Sequence, residues 1–225
     1  DSGLETLELA LTGFLRPSGG RVVLSGRDLT GKDPRAFREA GMAYLSAGGA
    51  VAPRLPMGES IILHAHRRSR KGFWGRLGIM DRRFLDSWIV RIMNASGVSF
   101  SPKAWGSSFS GGMIQRVALA RELAENTPFL VLSEPGWGLD RKSREGLARI
   151  LRAAAQAGRG ILIFSTDIDE LVVLSDEILV LRNGMVSALV SLETLKGSSP
   201  QETAILAVKE SIGGAMVGIP ERTHV

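Results

Sequence analysis

Apolar side chains recur along the chain in two rhythms, and the switches between them predict a series of helices and short strands. Residues 4–15 place Leu4, Leu7, Leu9, Ala10, Leu11, Phe14 and Leu15 at the spacing of a buried helix. Pro17-Ser18-Gly19-Gly20 breaks that pattern, and residues 21–26 follow as a short strand and turn. A second short strand is expected at 41–45, and the Gly, Ala and Pro of residues 46–60 read as a loop. Residues 60–96 look mainly helical, with Phe84, Trp88, Ile89 and Ile92 on one helical face. Residues 111–125 form a further helix.

Beyond it the rhythm changes. Phe129-Leu130-Val131-Leu132 is apolar throughout and too short for a helix, which is the pattern of a strand buried on both faces. A helix over 141–157 closes at Gly158, and a second apolar strand spans 160–165. A helix over 167–175 and a third strand at 178–181 come next. Asn183-Gly184 then reads as a hairpin turn into 185–190. Strand, helix, strand, helix, strand from 129 to 182 predicts a parallel sheet covered on both faces. No repeat or linker interrupts the 225 residues, so a single domain over 1–225 is expected. Its helical part lies at about 60–127, and a loosely structured tail covers 213–225.

Composition narrows the chemistry. The chain has no cysteine and three histidines (His64, His66 and His224), which excludes thiol nucleophiles, disulfides and a histidine-rich metal site. No apolar run approaches the ~20 residues that span a bilayer. Asp1-Ser2-Gly3-Leu4-Glu5 has neither the basic start nor the apolar stretch of a signal peptide, so a cytosolic protein is expected. A first residue other than Met leads us to expect a piece of a longer chain. The net charge of +5 is modest, but Arg67, Arg68, Arg70, Lys71, Arg76, Arg82 and Arg83 crowd one stretch. A solvated basic face and a surface near anionic lipid both fit that cluster. Nucleic acid is not expected as a partner, because no stacking aromatics or RNA-binding motif accompany the charge.

The most informative stretch is Phe109-Ser110-Gly111-Gly112-Met113-Ile114-Gln115-Arg116. A Ser-Gly-Gly triplet that opens a helix puts free amides and a hydroxyl at the positive end of the helix dipole, and glycine lets a phosphate approach the backbone. Taken alone, the same triplet is a plain helix cap. It is followed by Phe129-Leu130-Val131-Leu132-Ser133-Glu134-Pro135-Gly136-Trp137-Gly138-Leu139-Asp140. An acidic residue just past a buried strand lies at the carboxyl edge of a sheet, where open α/β folds bind ligands.

In this order the two stretches resemble the ATP-binding domain of ABC transporters, and the likeness covers roughly residues 3–190. Ser110, Gly111 and Gly112 then match the signature motif, and these three with Gln115 in the same run and Asp140 beyond it are the nucleotide-binding residues the resemblance implies. Glu134 falls at the catalytic glutamate, Asp140 at the D-loop aspartate and Thr166 at the switch position. The layout between Gly41 and Ile61 is closest to the second, degenerate ATPase domain of simple-sugar or nucleoside importers. The resemblance implies a P-loop NTPase-like layered α/β fold with a mainly parallel sheet and a helical subdomain, its N-terminal P-loop region incomplete. It also implies ATP and Mg²⁺ as cofactors shared with a partner subunit, a head-to-tail pairing with another ABC ATP-binding domain, and integral membrane permease subunits. The expected location is the cytoplasmic face of the inner or plasma membrane.

The match fails where phosphate and metal would be held. A P-loop ends in a Lys for the phosphates and a Ser or Thr for Mg²⁺. Setting Gly3-Leu4-Glu5-Thr6-Leu7 against that ending puts Leu4 at the lysine and Glu5 at the hydroxyl, with only Gly3 and the adjacent Thr6 left to contribute. Ser133 replaces the metal-holding aspartate, Thr166 the switch histidine, and Ser46-Ala47-Gly48 carries no glutamine or glutamate. Losing these charges together removes most of the transition-state stabilisation. The expectation is a domain that hydrolyses little alone and lends its signature to a partner's ATP. Glu134 carries two readings of equal weight, a general base and a polar cap on its loop. An active ATPase with its P-loop upstream, and an ABC-like module that only mediates protein association, are the alternatives.

Overall fold

The computed structural model describes residues 2–48, 51–69 and 82–192, with side chains 64–69 omitted. The chain divides into two compact units. One runs from Ala43 to Glu145; the other takes the residues up to Met42 and from Gly146 onward.

The Ala43–Glu145 unit joins strands to a helical layer. Strand β3 (Met42–Leu45) lies beside β4 (Phe129–Ser133). Leu130, Val131 and Leu132 are almost wholly buried, as an unbroken apolar run requires. Helix α3 (Met57–Ser69) packs on α4 (Arg82–Ser96), and α4 packs on α5 (Gly111–Ala124). Leu85, Trp88, Ile89 and Ile92 recur every three or four residues on α4 and enter a core with Met57, Ile61, Val98, Val117, Ala120 and Ala124. Phe84 stacks on Trp88 with ring centroids 6.1 Å apart.

Helix α3 begins at Met57, three residues before the expected end of the loop, and its first turn shows why. The amides of Met57 and Gly58, which have no acceptor within the helix, donate to the carbonyls of Ala104 and Pro102 at 2.7 and 2.9 Å. A side chain at position 58 would sit 2.9 Å from Pro102, so only glycine allows this approach. Helix α5 carries buried residues all round, from Gln115 and Val117 to the charged neighbours Arg121 and Glu122. Those two form a buried ion pair at 3.0 Å, and Arg121 Nη1 also donates to the Ser60 carbonyl at 3.5 Å.

In the other unit α1 covers Leu4–Leu11. It stops well short of Leu15, and the terminator is local. Thr12 turns its hydroxyl back to the Glu8 carbonyl at 2.7 Å, and Gly13 takes a left-handed φ of 82°. A Cβ at Gly13 would lie 2.8 Å from the Phe37 ring. None of α1 is fully buried, and Phe14 is 60% exposed, so its apolar spacing marks a half-covered helix rather than the buried one expected.

Two features here carry weak sequence signals. Strand β1 (Val23–Leu24) pairs antiparallel with β2 (Arg27–Asp28) across a two-residue turn, Ser25-Gly26, whose φ values of 50° and 76° are both positive. Helix α2 (Pro34–Glu39) is started by Asp33, which accepts from the Ala36 amide at 2.9 Å, with proline in its first turn.

Helix α6 (Arg141–Gln156) buries Leu147, Ala148 and Leu151. Strand β5 (Gly160–Phe164) and helix α7 (Ile168–Leu174) follow it. The third expected parallel strand is a correction. Strand β6 (Glu177–Arg182) pairs antiparallel with β7 (Met185–Ser191) in a two-stranded sheet of its own. Its neighbour β7 is supplied by the expected turn, where Asn183 and Gly184 both have positive φ and close a tight hairpin. Its inner face, Ile178, Val180, Val190 and Leu192, is buried, whereas Leu179 and Leu189 face each other on the outside.

Arg82 and Arg83 are exposed at the start of α4. The rest of the basic cluster and the 213–225 tail lie outside the residues described in full. Among the described residues no helix is long and apolar enough to cross a membrane.

Candidate functional site

The backbone of Ser110 is extended (φ −69°, ψ 156°) and its hydroxyl accepts from the Met113 amide at 3.3 Å. That is the geometry of an N-cap, and it starts α5 cleanly. Ser110 and Gly111 are exposed and no acidic residue stands in the first turn, so the positive end of the helix is not neutralised by its own side chains. This turn can receive an anion through its amides.

Gly112 is required by packing. A Cβ there would lie 2.5 Å from the Gly138 carbonyl oxygen, and one at Gly111 would meet the Trp137 ring at 3.2 Å. The loop after β4 therefore lies directly against the capped turn. Gln115, wholly buried, reaches the same loop: its Nε2 donates to the carbonyls of Glu134 at 3.1 Å and Pro135 at 3.2 Å. Glu134 is half-buried with a φ of 45°, a left-handed conformation that is strained for a glutamate, and its carbonyl also accepts from the Trp137 amide at 3.0 Å.

Asp140 ends this loop and starts the next helix, accepting from the Ser143 amide at 2.7 Å. The Ser143 amide and hydroxyl hold its carboxyl below the usual value, helped by the positive charges of Arg116 and Lys142. Ser110, Gly111, Gly112, Gln115, Glu134 and Asp140 thus all belong to the Ala43–Glu145 unit. Three neighbours escaped the sequence reading: Trp137, Gly138 and Arg116. The signal for the first two was present in the Gly-Trp-Gly run between strand and aspartate, where glycines on both sides of an aromatic mark a close backbone approach.

Thr166, Gly3 and Thr6 lie in the other unit, whereas Ser133 belongs to the Ala43–Glu145 unit. Thr166 is exposed between Ser165 and Asp167. Ser165 donates to the buried Glu170 carboxylate at 2.7 Å and accepts from the Asp167 amide at 3.1 Å, while Asp167 caps α7 through the Glu170 amide. Gly3 precedes α1 with a φ of 80° and no side-chain cap, and Glu5 and Thr6 are exposed in the first turn. Gly3 approaches Gly184, whose amide donates to the Ser2 carbonyl at 3.1 Å. Ser133, at the end of β4, is buried.

Mg·ATP can be tested against these groups. Leu4 offers no charge to a phosphate, Glu5 repels one, and Ser133 gives a neutral hydroxyl where a divalent cation needs a carboxylate. Among the described residues no three His, Asp or Glu side chains cluster to hold a metal. The α1 turn and Ser133 do not fit Mg·ATP. The Ser110 turn, exposed and without an acidic side chain, fits an anion.

Comparison with known proteins settles the family. The profile of the ABC transporter family matches residues 2–136. The chain belongs to the ABC transporter family. It is 28% identical over 216 residues to the nucleoside import ATP-binding protein NupA of Lactococcus lactis subsp. cremoris, covering 94% of this chain and 41% of NupA. It is 29% identical over 218 residues to the ribose import ATP-binding protein RbsA 1 of Rhizobium johnstonii, covering 94% and 41%. The ABC chain thus spans well under half the length of these curated relatives. Among solved structures, the ATP-binding cassette MJ0796 in a dimeric post-hydrolysis state with ADP and Pi superposes with a TM-score of 0.72 at 20% identity, covering 84% of this chain and 81% of that one. The cassette MJ1267 gives 0.70 at 18% identity, covering 97% and 83%. These neighbours establish the ABC ATPase fold, an α/β fold with a parallel sheet and helices.

Proposed function

We propose that this chain is an ATP-binding domain of an ABC importer for a sugar or nucleoside, and that it serves as the non-hydrolysing member of a pair. It presents Ser110, Gly111 and Gly112 to an ATP and Mg²⁺ held by a second ABC ATP-binding domain. It rests with that partner on permease subunits at the cytoplasmic face of the membrane. Ribose and nucleoside import are named for its relatives, which supports the substrate class.

The observation that carries the reading is a contrast within one chain. The signature turn is capped and exposed, with no acidic residue in the first turn of its helix, while Leu4, Glu5 and Ser133 leave this domain without the charges to grip its own nucleotide. Glu134 keeps the position of a catalytic base yet has no phosphate of its own to act beside. On this reading its main role is to shape the loop that lies against the signature turn.

The test is turnover. The purified chain alone should show no Mg²⁺-dependent ATP hydrolysis above a no-protein control. Mixed with an ABC ATP-binding subunit that has an intact P-loop, it should raise that subunit's rate, and Ser110→Arg should abolish the gain. Vigorous hydrolysis by the lone chain, or Mg·ATP bound tightly to it, would overturn the proposal.

A further inference from the structure

Gln115 makes an arrangement that space-filling does not explain. Its amide is wholly buried and gives both of its protons to consecutive main-chain carbonyls, those of Glu134 and Pro135, 19 and 20 residues further along. That choice fixes which end of the amide is nitrogen and leaves Oε1 buried without a hydrogen-bond partner. An unmet buried acceptor is unfavourable, so a methionine of the same length would fill this space at lower cost. A glutamine here is explained by its two donors.

The two carbonyls belong to the backbone that needs support. Glu134 holds a left-handed φ of 45°, which a non-glycine residue keeps only where its surroundings impose it. A second fastening lies one helical turn away, where Gly112 meets the Gly138 carbonyl so closely that a Cβ would be 2.5 Å from the oxygen. Between the two attachment points Trp137, 55% exposed, rests on Gly111. The capped turn and the 134–138 loop are therefore pinned at both ends.

We infer that Gln115 is a positioning residue that fastens the Glu134–Gly138 loop to the signature turn, so that the two meet a partner as one rigid surface. The fastening stands on the geometry alone; its consequence for ATP turnover rests on the function proposed above. Ser110 contacts the nucleotide on that reading, and Gln115 acts through the backbone it holds.

Two variants test it in the full chain. Gln115→Met keeps the length and removes the donors; Gln115→Glu keeps the Oε1 acceptor and puts a second oxygen in place of the Nε2 donor. Hydrogen exchange should show the Trp137 and Leu139 amides, which close turns onto Glu134 and Gly136, exchanging ~10-fold faster in both variants. Amides of Val117–Ala124 should keep their protection. With 5-fluorotryptophan incorporated, the ¹⁹F signal that Trp137→Phe deletes should move or broaden, while the Trp88 signal stays in place. Unchanged loop exchange in both variants, or acceleration spread evenly along α5, would show that Gln115 only fills space and would overturn the inference. In the mixture with a P-loop-competent subunit, Gln115→Met should lower kcat ~10-fold with KM for ATP unchanged. A loosened loop with unaltered turnover would leave the fastening standing and remove the nucleotide-facing reading instead.

Discussion

Helices α1 and α5 both begin beside a glycine, and of the two only α5 opens on a turn that can meet an anion. At α5 the cap residue is an extended serine whose hydroxyl takes up the Met113 amide, and the first turn carries no acidic group. At α1 the cap position is Gly3 in a left-handed conformation without a side-chain cap, followed by Leu4 and Glu5. A glutamate in the first turn is favourable for the helix, because it sits at the positive end of the dipole. The same charge excludes a phosphate. What separates the two turns is thus both the cap backbone, extended at Ser110 and left-handed at Gly3, and the side chains that compete for the dipole; on the function proposed above, one nucleotide contact is lost while the other is kept.

The sharpest way to break the comparison is to add one methyl group to each turn. In Gly112→Ala the new Cβ would lie 2.5 Å from the Gly138 carbonyl oxygen, and backbone cannot swing aside as a side chain does. We expect a loss of about 1–3 kcal/mol, as for overpacked cores. In Gly3→Ala the contact is looser, 3.0 Å to the Gly184 Cα, and the cost comes from placing alanine at a φ of 80°, roughly 1–2 kcal/mol. Urea denaturation of both variants checks the magnitudes, and exchange of the Trp137 amide checks their location. Only Gly112→Ala should disturb the loop that carries Glu134. Equal disturbance of that loop by both variants would mean that the two turns are not independent.

Removing the cap comes next in size. Ser110→Ala takes away the acceptor for the Met113 amide and should cost about 1 kcal/mol of stability, with the first turn of α5 fraying before the rest. The reciprocal change offers α1 nothing. Capping serines are extended, and a serine at position 3 would inherit a left-handed backbone. Thermal melts of Ser110→Ala and Gly3→Ser should therefore both fall. A rise in the second would show that α1 lacks only a cap.

Legibility in the sequence followed how local the determinants were. The buried run 129–132, the Asn183-Gly184 turn and the Ser-Gly-Gly cap each depend on a few adjacent residues, and each stands where the pattern placed it. Helix α1 was read too long because Thr12 and Gly13 end it, while the apolar spacing continues through Phe14 and Leu15. The 178–181 strand was assigned to the parallel series because its apolar run resembles the others. Its alternation of buried and exposed residues marks instead a strand covered on one face, in the two-stranded sheet that the expected hairpin forms with β7. At the site, the capped turn and its loop were both visible as motifs. Their attachment was not, because Gln115 and Gly112 meet partners far along the chain, at Glu134 and Gly138, and no periodicity encodes that pairing.

The smallest expected effect concerns the far end of the loop. Asp140 is exposed, and its carboxyl titrates below the usual 3.8 because it accepts from the amide and hydroxyl of Ser143, with Arg116 and Lys142 adding positive charge. The folded form is the weaker base, so the unfolded chain binds the proton more readily. The stabilisation is fully present above pH 3.8 and is lost as pH falls through the lowered folded value. Asp140→Asn keeps a good capping side chain and removes the titration. Its acid-unfolding limb should be shallower than that of the parent, with little difference at neutral pH, and added salt should weaken only the share due to Arg116 and Lys142. Superimposable acid limbs would mean that this carboxylate is not pinned at the loop's end, and would leave Gly112 and Gln115 as the attachments that set the loop against the signature turn.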